Sequence, residues 1–155
     1  MTCRTSPSAA SWCAATGVAR LAQPKQPSWK SFSHLTLPSR DVAKTASFLE
    51  QTLGYPRDAV PANVMDDAVW LNLGAGQQLH LIHVEGFETS PFEREFGRHV
   101  AVFYPLANFA QLKQAIVQHG GELVEPLRTT PFERFFFREP VNGYVFEVID
   151  QARKV

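Results

Sequence analysis

The stretches Phe32-Ser-His-Leu-Thr-Leu37 and Arg98-His-Val-Ala-Val-Phe103 decide the fold. Each is an apolar run built around one histidine, His34 or His99, and the first alternates as a half-buried strand does. Each run leads into a helix-like segment that ends in glycine, at Gly54 and at Gly120. Further on, Gly76-Gln-Gln-Leu-His80 and Gly143-Tyr-Val-Phe-Glu147 each put a ligand-type side chain a fixed step after a glycine. The spacings from His34 to His99, from Gly54 to Gly120 and from His80 to Glu147 are nearly identical. Three landmarks at nearly one spacing imply two copies of a single supersecondary unit. They also place ligand-type side chains at equivalent points of both copies.

The first copy reads as a strand over Phe32–Leu37, broken by Pro38-Ser39. Ser39 or Asp41 is suited to cap a helix over Val42–Leu53, whose Val42, Ala46, Leu49 and Leu53 form one apolar face. Strands follow over Val69–Leu73 and Leu79–Val84, around the turn Gly74-Ala-Gly76. In the second copy Arg98–Tyr104 is the strand, and Asn108 with Gln111 resembles a capping box. Phe109, Leu112 and Ile116 face the core, and Gly120-Gly121 ends that helix. Leu123-Val124, Phe132–Arg138 and Tyr144–Ile149 complete the strands, and residues 86–97 link the copies. The class is α+β, with unit one over about 32–84 and unit two over about 98–150.

The chain has 155 residues, 45% hydrophobic and 19% charged, which suits one soluble globular domain over 31–155. Lys+Arg and Asp+Glu both number 15, so no net charge points to nucleic acid or an anionic membrane. No apolar run approaches the roughly 18 residues that span a bilayer. Both cysteines, Cys3 and Cys13, precede the repeat, so a metal in the folded body falls to His and carboxylate ligands. Residues 1–30 carry Arg4, Arg20, Lys25 and Lys30 but no acid. They read as a flexible basic extension or an upstream start, with an organellar transit segment as the alternative to a cytoplasmic protein.

Strand alternation sends His80 and His83 to opposite faces, and the match to Glu147 in distance from the preceding glycine selects His80. Glu147, set between Phe146 and Val148, needs a partner if it is buried, and imidazoles holding a divalent cation would supply one. His34, His99 and Glu147 are therefore the candidate metal set, with His80 either a fourth ligand or a pocket wall. His119 fits a helix C-terminus. Arg134, Phe136 and Arg138 share a strand face, either as a basic wall for an anionic substrate group or as a solvated face with apolar stems.

At these residues the chain resembles the vicinal oxygen chelate superfamily. Its members include glyoxalase I, methylmalonyl-CoA epimerase, fosfomycin-resistance thiol transferases, extradiol dioxygenases and bleomycin-resistance proteins. The resemblance covers about Phe32–Asp150. It implies two βαβββ units forming a cupped, partly open, barrel-like mixed sheet with helices outside. It implies metal ligation by His34, His99 and Glu147. The family's Phe-x-Asp-Pro-x-Gly run resembles Phe137-Arg-Glu-Pro-Val-Asn-Gly143, with Glu139 for Asp and one extra residue. His80 departs from the Glu or Gln usual at its position, which leaves Glu147 as the evident carboxylate base.

The resemblance implies a glyoxalase-like metal-dependent enzyme of lyase or isomerase type, acting on a small substrate that chelates Ni, Zn, Mn, Co or Fe through vicinal oxygens. One alternative is an Fe(II) ring-cleaving dioxygenase, since two His and one carboxylate suit such iron. The other is a non-catalytic small-molecule binder. A homodimer is expected, with Phe87, Phe92 and Phe96 of the linker as candidate contacts.

Overall fold

The computed structural model describes residues 32–64 and 67–153, so the expectations for 1–30 lie outside the described residues. Strand β1 (His34–Ser39) leads to helix α1 (Val42–Leu53), then β2 (Arg57–Asp58), β3 (Val69–Gly74) and β4 (Gln77–His83). The second unit repeats the order as β5 (Val100–Tyr104), α2 (Phe109–Gln118), β6 (Glu122–Val124), β7 (Arg134–Arg138) and β8 (Val145–Asp150). The sheets run β1-β4-β3-β2 and β5-β8-β7-β6, and they do not close into a barrel. In each, the first strand pairs in parallel with the last.

The register repeats as well as the order. Thr36 lies opposite His80, and Ala101 opposite Glu147. Trp70 lies opposite His80, and Phe136 opposite Glu147. Thus His80 and Glu147 occupy equivalent points.

Alternation then sorts the faces. Leu71, Leu79 and Leu81 of the first sheet and Phe135, Phe137, Phe146 and Val148 of the second are buried in one core. Phe48 and Leu49 of α1 and Leu112 and Ile116 of α2 fill it. Each such side chain contributes about 1.5–3 kcal/mol. Phe137 stacks on Phe146 at 5.1 Å and meets Phe48 at 6.0 Å. Because both sheets give their apolar faces to this core, the faces bearing His80 and Glu147 turn away from it.

Two local expectations are corrected, at Pro38 and Asn108, and the choice between Ser39 and Asp41 is settled. Pro38 does not end β1 but sits within it, opposite Ile82. β1 pairs only with β4, and an edge strand tolerates the missing N–H. Asp41, not Ser39, caps α1, its Oδ1 accepting the Lys44 N–H at 2.9 Å. Asn108 makes no side-chain cap, because a 3₁₀ turn over Leu106–Asn108 leads directly into α2. Phe87 of the linker is partly buried against the core, beside Tyr144 at 5.9 Å.

The turn after β7 locks the two units together. Glu139, buried, accepts the backbone N–H groups of Val141 and Asn142, each at 2.8 Å. Asn142 donates to Thr45 Oγ1 at 2.9 Å and Ser39 Oγ at 3.2 Å, and its Oδ1 accepts the Arg40 N–H at 3.0 Å. Asn142→Ala would leave several of these buried groups unpaired. We expect a loss of about 2 kcal/mol in denaturant unfolding. A change below about 0.5 kcal/mol would show that the turn does not lock the units.

Candidate metal centre

Glu147 projects from β8 on the face away from the core, and its side chain is only 9% exposed. Its Oε1 accepts Arg134 Nη1 at 2.8 Å. Its Oε2 lies 3.3 Å from His99 Nε2. Two donors of a single ion bound at about 2.0–2.2 Å are separated by about this distance. His99 Nδ1 is buried without a hydrogen-bond partner. The 3.3 Å spacing fits two coordination positions, while the buried Nδ1 lacks the acceptor that a ligating histidine usually has.

His34 and His80 are brought together on the other sheet. Their rings stack at 4.2 Å with an interplanar angle of 6°, and Trp70 stacks on His80 at 4.1 Å and 2°. An imidazole lone pair lies in its ring plane. Parallel rings at this separation cannot both direct lone pairs at one ion, so in this arrangement His34 and His80 do not share a metal. His83 lies one strand face away, near Glu85 at 3.4 Å. His34 and His99 both line a cleft of about 420 Å³ with Leu35, Val100, Arg98 and Tyr144. Among the described residues, no three His, Cys, Asp or Glu side chains are grouped to hold an ion.

The expected basic wall is tied down. Arg134, with 2% of its side chain exposed, binds Glu147, the Glu95 carboxylate and the Arg128 carbonyl, the last at 2.9 Å. It lies 5.0 Å over the buried ring of Phe136, which meets His99 edge-on at 5.6 Å. Arg138 donates to the Gly143 carbonyl at 3.0 Å and approaches Glu122 at 3.6 Å.

The sequence matches the description "Glyoxalase/Bleomycin resistance protein/Dioxygenase superfamily" over residues 31–148. The chain belongs to that superfamily. Solved structures of similar fold include a glyoxalase/dioxygenase from Nostoc punctiforme, at 16% identity and TM-score 0.64, covering 84% of this chain and 98% of that one. A possible glyoxalase from Bacillus cereus is 19% identical with TM-score 0.59, covering 77% and 98%. The fosfomycin resistance protein FosX from Listeria monocytogenes, in a mutant complexed with Mn(II) and dihydroxypropylphosphonic acid, is 20% identical with TM-score 0.61, covering 77% and 89%. No curated protein matches the chain.

Within this superfamily fold, three site neighbours escaped the sequence reading. Trp70 was accessible, since it precedes Phe136 at nearly the spacing that separates the other paired landmarks. Asp58 lies in β2, which is only two residues long and carries no alternation. Glu95 belongs to the linker, where no period marks a buried carboxylate.

Burial raises the pKa of Glu95, but hydrogen bonds from Arg134, Leu127 and Arg128 outweigh it and hold the carboxyl below its ordinary value of 4.5. For His80, burial and then the neighbouring His34 hold the pKa below 6.5, which favours the neutral ring. A depressed carboxyl stabilises the fold above its unfolded pKa and loses that contribution as pH falls through the folded one. Glu95→Gln should therefore lower Tm at pH 7, and the deficit should shrink as pH falls below about 4.5. Melting curves of both proteins from pH 7 to pH 3 test this. A deficit that does not change with pH would contradict it.

Proposed function

We propose that the protein is a metal-dependent vicinal oxygen chelate enzyme of glyoxalase-like, lyase or isomerase type. The observation that carries this reading is the 3.3 Å approach of Glu147 Oε2 to His99 Nε2, with Oε1 already held by Arg134. These two side chains would hold a divalent ion together with His34. Bound there, such an ion would act as a Lewis acid on a small substrate offering two vicinal oxygens. In this reading both oxygens of Glu147 are engaged, Oε1 by Arg134 and Oε2 by the ion, and a proton would move through Oε2 only where it leaves the ion. Arg138, though hydrogen-bonded to the Gly143 carbonyl, keeps 38% of its side chain exposed and would be the basic group for an anionic substrate portion.

The third ligand is supplied by a second copy of the chain in this reading. His34 and Glu147 project from faces that both turn away from the common core. β1 and β5 each keep one unpaired edge. Leu35 on β1 is 40% exposed and Phe103 on β5 is 60% exposed. Unpaired edges with apolar side chains are covered in stable proteins, and pairing of copies would cover them here. The exposed linker residues Phe92 and Phe96 are further candidate contacts.

Two other readings each have one observation in their favour. With only one of His34 and His80 available to the ion, a two-His, one-carboxylate set remains, which suits an Fe(II) dioxygenase. Arg134 already balances the Glu147 charge, which suits a metal-free binder.

Metal analysis of purified protein separates them. We expect one divalent ion per chain, a particle of twice 17.3 kDa by sedimentation, and loss of the ion in Glu147→Gln. Turnover of a methylglyoxal–thiol adduct supports the glyoxalase reading, and oxygen uptake with a catechol supports the dioxygenase. Metal content unaffected by Glu147→Gln would overturn the site, and a protein that binds no divalent ion would be a binder.

A further inference from the structure

The open face of the first sheet carries a hydrogen-bond chain with one possible direction. It starts at the hairpin turn, where the Gly74 N–H donates to Asn72 Oδ1 at 2.8 Å. Asn72 Nδ2 then donates to Asp58 Oδ1 at 3.2 Å. Gln78 Nε2 donates to the other oxygen, Asp58 Oδ2, at 2.8 Å. Gln78 Oε1 in turn lies 3.0 Å from His80 Nε2.

An ionised carboxylate only accepts hydrogen bonds. Asp58 therefore forces both neighbouring amides to turn their NH₂ groups toward it. That leaves the carbonyl oxygen of Gln78 facing His80. A carbonyl oxygen has no proton to give, so His80 Nε2 must carry the hydrogen. In the neutral ring the lone pair is then on Nδ1. The sandwich between Trp70 and His34 fixes the ring plane, with interplanar angles of 2° and 6°. The hydrogen bond to Gln78 fixes its rotation within that plane.

We infer that Asp58 and Gln78 are positioning residues that hold His80 as the Nε2–H tautomer and leave Nδ1 as the acceptor of the ring. This makes His80 a fixed hydrogen-bond acceptor beside His34. Its use in catalysis rests on the function proposed above, but the tautomer does not. A substrate taken at this face offers His80 a donor, either a hydroxyl or a carbon-bound proton made acidic by an adjacent carbonyl. The assignment also explains how a histidine serves at the point equivalent to Glu147 without a carboxylate of its own. The carboxylate that orients it stands two side chains away, on β2.

The test is long-range ¹H–¹⁵N correlation of the histidine rings in metal-free protein at neutral pH, with the His80 signals assigned by their loss in His80→Gln. The wild type should show one protonated, pyrrole-like nitrogen at Nε2 and one unprotonated, pyridine-like nitrogen at Nδ1. Asp58→Ala and Gln78→Leu should each convert this to a mixture of tautomers or to the Nδ1–H form. A wild-type ring protonated at Nδ1 would overturn the inference. So would an unchanged single Nε2–H tautomer in both variants. If one variant fails to fold, the other decides, because the Nε2–H form is also the commoner tautomer of a free neutral histidine. Because the sample holds no metal, a protein that proves unable to bind an ion would sink the proposed function and leave this result standing.

Discussion

The candidate site depends first on the two-residue alternation of β4 and β8. On β8, Phe146 and Val148 are drawn into the core, so Glu147 between them is driven to the opposite face. On β4, Leu79 and Leu81 do the same to His80. One shared core serves both sheets, so this constraint acts on both units together. A one-residue slip in either strand would bury a carboxylate or an imidazole against phenylalanines and leucines, and that cost fixes the register.

The charged groups on the second sheet follow from that placement. Glu147 is largely out of water and requires compensation. Arg134 supplies it from the neighbouring strand, and Glu95 compensates Arg134 in turn. Breaking such a buried pair costs more than forming it gained, because the remaining charge is left without a partner. The network holds one oxygen of Glu147 and leaves the other beside His99. On the first sheet the equivalent position is a histidine, linked through the Gln78 amide to Asp58. The two halves of the repeat thus use the same geometry with different electrostatics.

Much of this was legible in the chain. The spacing of His34 to His99 and His80 to Glu147 revealed the unit, its strand order and the distinction between His80 and His83, because all follow from periodicity. The resemblance to the vicinal oxygen chelate superfamily carried the same reading, and the match over residues 31–148 bears it out. What periodicity does not encode was not legible. The role of Glu95 depends on how an aperiodic linker folds across β7. The face-to-face ring stack of His34 and His80 depends on rotamers. The placement of His34 and Glu147 on faces that turn away from one core depends on how the units pack, and two units of identical register can pack in more than one way. Pro38 misled for a related reason, since whether proline ends a strand depends on whether that strand lies at an edge.

The central claim is that His99 and Glu147 of one copy hold a divalent ion with His34 of another. It is tested most directly by mixing two inactive variants, His34→Ala and Glu147→Gln, under conditions that exchange subunits, and then measuring bound metal. Each variant alone should bind none. A mixed pair contains one site with all three wild-type ligands, so equal mixing at random should restore about a quarter of the wild-type metal content, as expected for a closed two-fold assembly. No recovery after demonstrated subunit exchange would contradict the account and place all three ligands within a single chain.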